Sequence, residues 1–171
     1  MAGFEAIASQ YVEADVSAVT FSSIPDTYEH LQLRLDWRGT YASTGIDGYI
    51  RFNSDSGSNY TKHMIYTAST GGTAVTESTT ETTVVSFGTT GSSNRMGEWP
   101  VVFLTIFGYA NSDVDYKPCF IHSALEKTAQ YHLFGSSMWK NTDDIDTITV
   151  TTYGGNVLRG ASMALYGWKS S

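Results

Sequence analysis

The side chains able to do chemistry are few in kind and scattered along the chain. His30, His63, His122 and His132 are its four histidines. No two stand four residues apart, the spacing that puts a pair on one helix face around zinc. Cys119 is the single cysteine, so an internal disulfide is excluded and no CxxC framework for a metal exists. Flanked by Phe120 and Ile121, it reads as an apolar filler of a core rather than as a reactive thiol. No serine stands in a GxSxG turn, the strained presentation that a hydrolase nucleophile needs. The 17 Asp and Glu residues are numerous enough for some pair to meet the roughly 5 to 9.5 Å separation of glycoside cleavage. Spacing selects none of them. No catalytic residue, cofactor-binding residue or metal ligand is assigned, and the chain is expected not to be an enzyme.

Two loops gather oxygen atoms of the kind that hard cations bind: Asn53-Ser54-Asp55-Ser56 and Asn141-Thr142-Asp143-Asp144-Ile145-Asp146. Neither has the EF-hand spacing or its closing Glu, and the competing reading is an Asx-turn that closes a hairpin. Aromatic pairs could stack on sugar rings, with Trp139 and Tyr153, or Tyr41 and Tyr49, as candidates. In strands, however, such residues more often serve the core or a cross-strand contact.

Charge narrows the partners. The net charge is −7 and the pI about 4.9, and no cluster of Lys or Arg offsets it, so a phosphate backbone would be repelled and nucleic acid is not an expected partner. Met1 to Ser9 lacks the basic and apolar regions of a signal peptide. The longest apolar run, Val101 to Phe107, is broken by Thr105 and falls far short of the roughly 20 residues a membrane helix needs. Synthesis in a cytoplasm and no membrane partner are the expectations.

Elements able to position these residues are strands. The chain has 11 Tyr, 8 Phe, 4 Trp and 16 Gly and only 16% charged residues, which suits pleated half-buried surfaces and tight turns better than charged helix faces. Leu31, Leu33, Leu35 and Trp37 alternate with Gln32, Arg34, Asp36 and Arg38, a period of two that buries one face. Similar runs lie at Phe4 to Ser9, Ala18 to Ser22, Gly48 to Asn53, Tyr60 to Thr67, Thr83 to Phe87, Trp99 to Phe107, Lys117 to Ser123, His132 to Trp139, Ile145 to Thr152 and Ser162 to Trp168. About ten strands at this rhythm predict an all-β fold, an antiparallel β-sandwich with a jelly-roll-like path, as one domain over residues 1–171. Thr67 to Thr83, almost all Ser, Thr, Gly and Glu, predicts an exposed mobile loop or a long hairpin. Ser123 to Gln130 predicts either one helical turn or a strand crossover.

Several segments together resemble a group of small tailed-bacteriophage virion structural proteins. They are Met1-Ala2-Gly3-Phe4 with Ile7-Ala8-Ser9; Phe21-Ser22-Ser23-Ile24-Pro25 followed by Tyr28 and Leu31; Ile50-Arg51-Phe52-Asn53 followed by Gly57, Asn59 and Tyr60; and Ala164-Leu165-Tyr166-Gly167-Trp168-Lys169-Ser170. The likeness covers both ends and the first third, and Thr67 to Glu98 departs from it. It implies a virion component with a β-sandwich body, made in the host cytoplasm, and carries over no catalytic residue. The leading expectation is a capsid decoration or cement protein that binds the major capsid protein as a homo-oligomer and stabilises the head. The alternative is a receptor-binding or carbohydrate-binding fibre protein that takes a host glycan. An acidic chain rich in Ser and Thr is not expected to show a broad apolar patch. Attachment is therefore expected from Thr67 to Thr83 and from residues 1–11, read as an extended arm with Phe4, Ile7 and Tyr11 as partner-binding residues. Pairing of that segment within its own sandwich is the competing outcome.

Overall fold

The computed structural model describes residues 3–67, 74–89, 91–93, 99–111, 116–125 and 131–169. These form twelve strands: β1 (Phe4–Tyr11), β2 (Val19–Phe21), β3 (His30–Asp36), β4 (Ile46–Phe52), β5 (Tyr60–Thr67), β6 (Ala74–Glu81), β7 (Val84–Thr89), β8 (Val101–Phe107), β9 (Lys117–Leu125), β10 (Tyr131–Trp139), β11 (Ile148–Thr152) and β12 (Ser162–Trp168). Their ladders are antiparallel.

One sheet has eight strands in the order β1-β12-β3-β8-β9-β10-β5-β6, and the other has four in the order β2-β11-β4-β7. The first four strands of the large sheet and the small sheet interleave: β1 leads to β2, β3 to β4, β7 to β8 and β11 to β12, each step changing sheet. First and last strands lie side by side. That path is a jelly roll. The hairpins β5-β6 and β9-β10 are insertions in it, and both add to the β8 side of the large sheet.

Alternation builds the core. Leu31, Leu33 and Leu35 of β3, Val102, Leu104 and Ile106 of β8, Cys119 and Ile121 of β9 and Met163 and Leu165 of β12 are buried with Phe52, Ile50, Ile148, Val150, Val19 and Phe21 of the small sheet in one cluster. Each large side chain removed from water in this way contributes about 1.5 to 3 kcal/mol. Trp37, just beyond β3, is fully buried, as the run from Leu31 predicts.

Two expectations are corrected or narrowed. Of the two readings of residues 1–11, pairing within the sandwich is what forms over 4–11, where β1 pairs along its length with β12, from Phe4 opposite Trp168 to Tyr11 opposite Ser162. The pairing satisfies main-chain groups that an arm would leave to solvent. Of the two readings of Thr67 to Thr83, the hairpin is what forms, with β6 paired to β5 from Tyr60 opposite Glu81 to Thr67 opposite Ala74. Its tip, 68–73, lies outside the described residues. Strand β9 continues to Leu125, and the rest of the segment read as a helical turn or crossover, 126–130, also lies outside them.

Candidate interaction surface

The core uses one face of the eight-stranded sheet, and the other face carries the candidate site. Cross-strand partners share a face, so the register lays out its rows. One row crosses all eight strands as Ser9, Ala164, Arg34, Phe103, His122, Phe134, Ile65 and Thr76. The next runs Ala6, Tyr166, Gln32, Thr105, Phe120, Ser136, His63 and Ser78. On one side of these lies Phe4, Trp168, His30 and Phe107. On the other lies Tyr11, Ser162, Asp36, Val101, Ala124 and His132.

Rings touch rings along this face. Phe4 meets Trp168 at 4.8 Å between centroids, Trp168 meets His30 at 5.1 Å, and His30 meets Phe107 at 5.3 Å. Phe107 then meets Phe120 at 5.5 Å, and Phe120 stacks on Phe134 at 6.4 Å. His122 stands edge-on to Phe134 at 6.2 Å. The band thus runs from β1 to β10. Beside it the Arg34 guanidinium lies over Tyr166 at 4.5 Å, and within 6 Å of the Phe4 and Phe103 rings, a cation held by ring faces rather than by a carboxylate.

The band is open to solvent: Phe134 is 61% exposed, Phe4 and Ile65 54%, Phe120 52% and Phe103 38%. A broad apolar patch therefore exists where none was expected. The expectation failed because Ser and Thr dominate the loops and hairpin β5-β6, while the aromatics concentrate on one face. All four histidines of the chain project from it. Among the described residues its outward strand positions carry one carboxylate, Asp36, in a chain with 17 Asp and Glu.

A depression of about 520 Å³ interrupts the face. Ser136 forms its floor because a small residue stands in the row between Phe120 and His63, with Phe134 and Ile65 in the next row as further walls. The adjacent rings protrude around it.

The candidate partner residues divide. Phe4 and Tyr11 lie on the outer face, while Ile7 sits at a bulge in β1 and is half-buried against the core. The sugar-stacking pairs are rearranged. Trp139 is fully buried, stacked near Tyr60 and edge-on to Phe52, so it cannot pair with Tyr153 at a surface. Tyr153 instead meets Tyr41 edge-on at 5.3 Å, both exposed, and Tyr49 packs against the core.

Much of the oxygen in the two oxygen-rich loops is tied up in hydrogen bonds, while Asp144 Oδ1 is buried without a hydrogen-bond partner among the described residues. Asn53, at φ 49°, donates from Nδ2 to the Asp144 carbonyl at 2.7 Å, and its Oδ1 accepts from the Asp146 and Thr147 amides at 2.9 and 3.1 Å. Asp55 accepts from the Gly57 amide at 2.8 Å, from Asn59 Nδ2 at 2.9 Å and from Trp139 Nε1 at 2.7 Å. Asn141 Oδ1 accepts from the Asp143 amide at 3.0 Å. The Asp55–Gly57 and Asn141–Asp143 bonds close turns of the Asx kind, while the Asn53 bonds tie one loop to the other. Tyr60 Oη accepts from the Phe52 amide at 3.0 Å, and burial pushes its phenol up to about 12. The stretch Ile50 to Tyr60 is thus a structural corner.

Phe103, Phe120, Phe134 and Ile65 were not singled out from the sequence, and His122 entered only as one of four scattered histidines. A signal was present in Val101 to Phe107, which is apolar in both phases of its alternation, one more than a half-exposed strand requires. Compared with known proteins, the chain matches no family model and no curated sequence. Among the described residues no helix is long and apolar enough to cross a membrane.

Proposed function

We propose that this chain is a non-enzymatic structural protein of a tailed-phage particle, a capsid decoration or cement protein that binds the major capsid protein, acts as a homo-oligomer and stabilises the head. The observation that carries the reading is the open aromatic face of the eight-stranded sheet. A sheet face with exposed rings and, among the described residues, one outward carboxylate has the composition of a protein contact, where aromatics and Arg are enriched and Asp and Glu depleted. Jelly rolls recur in capsid and lectin domains, which supports the reading by analogy of fold only. The resemblance carried by both ends of the chain points the same way. A subunit that binds only the assembled shell stabilises it by its binding free energy, and many linked copies add avidity without any catalytic group.

The test is to add the purified protein to capsids that lack it. Saturable co-sedimentation with a rise in capsid melting temperature is expected. Absence of binding to capsids, with the protein found only in tail fractions, would overturn the reading.

The exposed Tyr41 and Tyr153 pair favours a second reading, a fibre protein that binds a host glycan between its loops. Glycan-array binding lost in Tyr41→Ala and Tyr153→Ala would establish it in place of the first.

A further inference from the structure

We infer that the aromatic face is where copies of this chain meet: the protein self-associates through the outer face of the eight-stranded sheet, each copy covering the rings of another. The inference deepens the assembly reading, which calls for a homo-oligomer without saying which surface makes it.

Charge picks the occupant. Two copies at −7 each repel, and carboxylates brought together across an interface repel most strongly where water is excluded. The outward strand positions of this face carry only Asp36 among the described residues, and Arg34 stands two residues away on the same strand and side. This is a surface on which two acidic chains can approach without bringing carboxylates together. A basic partner would be drawn to the acidic remainder of the molecule instead. A second copy needs no opposite charge here.

Size agrees. Eight strands at about 4.8 Å spacing and strands of about seven residues at about 3.3 Å each give a face roughly 34 by 20 Å, or about 700 Å² in plan before side-chain relief is counted. Specific interfaces cover about 800 Å² per partner.

Shape agrees as well. Phe134 and Phe120 stand up from the sheet directly beside the 520 Å³ depression floored by Ser136. A knob next to a hole on the same surface is what an isologous contact uses, since each copy then offers what the other lacks. Phe120, Phe134, Ile65 and His63 wall the hole with Thr76 and Ser78 along its β6 side, so an aromatic ring of the other copy is a suitable guest.

The experiment is the mass of the free full-length chain in solution, by light scattering and sedimentation at neutral pH, from about 1 to 50 µM, the range where a moderate interface is half-formed. A multiple of 18.7 kDa is expected. Phe120→Ser and Phe134→Ser should each weaken association about 30-fold, as central aromatic contacts do. Ser136→Arg, which fills the hole with a charge at an outward position, should do the same. Far-ultraviolet circular dichroism should be unchanged in all three, and Tyr153→Ser, on a loop, should associate like the parent. A monomer at every concentration overturns the inference, as does an oligomer indifferent to all three substitutions. A monomer whose capsid binding is lost in Phe134→Ser also overturns it and gives the face to the shell. An oligomer that dissociates in these variants but binds no capsid upholds the inference while the decoration reading falls.

Discussion

The ring of Tyr28 lies directly on Gly167. A Cβ at position 167 would stand 2.4 to 2.7 Å from three carbons of that ring, closer than any pair of carbons tolerates. The contact joins the loop before β3 to β12, and the Tyr28 hydroxyl donates to Glu5 Oε2 on β1 at 2.9 Å. Two of the segments that carry the phage resemblance, the one with Tyr28 and the one with Tyr166-Gly167-Trp168, are therefore two halves of one packing unit.

Gly167→Ala should accordingly destabilise the fold by overpacking, by about 1 to 3 kcal/mol. For a chain of this size each kcal/mol moves the midpoint by about 2 to 4 °C. Thermal unfolding checks it. An unchanged midpoint would mean that Tyr28 swings away at no cost.

Asp55 makes the fold sensitive to acid. Burial pushes its carboxyl up, but the hydrogen bonds from Trp139, Asn59 and Gly57 and the charge of Arg51 together outweigh burial and hold it below the ordinary carboxylate value. The unfolded chain then binds the proton more readily than the folded one. The contribution is present above the unfolded value near 3.9 and is lost as pH falls through the lower folded one. Asp55→Asn should cost about 1 to 2 kcal/mol at neutral pH, since a charge-assisted acceptor for Trp139 is lost. The gap between parent and variant should close as pH drops below about 4. Midpoints measured against pH for both proteins decide; a gap that stays constant in acid would rule the carboxylate out as its source.

Cys119 is 1% exposed, its Sγ points to the Lys117 carbonyl at 3.6 Å, and burial pushes the thiol far up. The thiolate is the reactive form, so a thiol reagent should leave the native protein untouched at neutral pH and label one site per chain in denaturant. Rapid native labelling would show that β9 opens locally.

Sequence pattern reveals the strands of this fold more readily than its surface. Leu31, Leu33, Leu35 and Trp37 announce a core strand because burial on one face imposes a period of two on neighbouring residues. Strand β6 announces nothing, since an edge strand of Thr, Ser and Glu is held by main-chain pairing to β5 and needs no apolar alternation. The aromatic face was hidden for a different reason. Phe103, His122, Phe134 and Ile65 are neighbours only through the register of β8, β9, β10 and β5, and register is long-range information. Trp139 serves the core, the reading favoured for strand aromatics, but its partner Asp55, 84 residues away, could not be named from the sequence.

Asn53 tests whether the segment Ile50 to Tyr60 serves architecture. Its side chain makes three hydrogen bonds to main-chain groups of 144–147 while its own backbone holds a left-handed φ of 49°. Two substitutions separate these contributions. Asn53→Gly keeps the left-handed turn without strain but loses the hydrogen bonds, two part-buried and one exposed, which at about 1 kcal/mol or less each amount to about 2 kcal/mol. Asn53→Ala loses the same bonds and adds about 1 kcal/mol for a Cβ in the left-handed region, so it should be the less stable of the two. Both should unfold at lower denaturant than the parent with an unchanged slope. Because Asn53 lies at the β4-β5 corner, away from the rows of the aromatic face, the fraction that remains folded should self-associate like the parent. Equal stability of the Gly and Ala variants would remove the backbone contribution, and loss of association in fully folded Asn53→Gly would assign the corner a place in the interface.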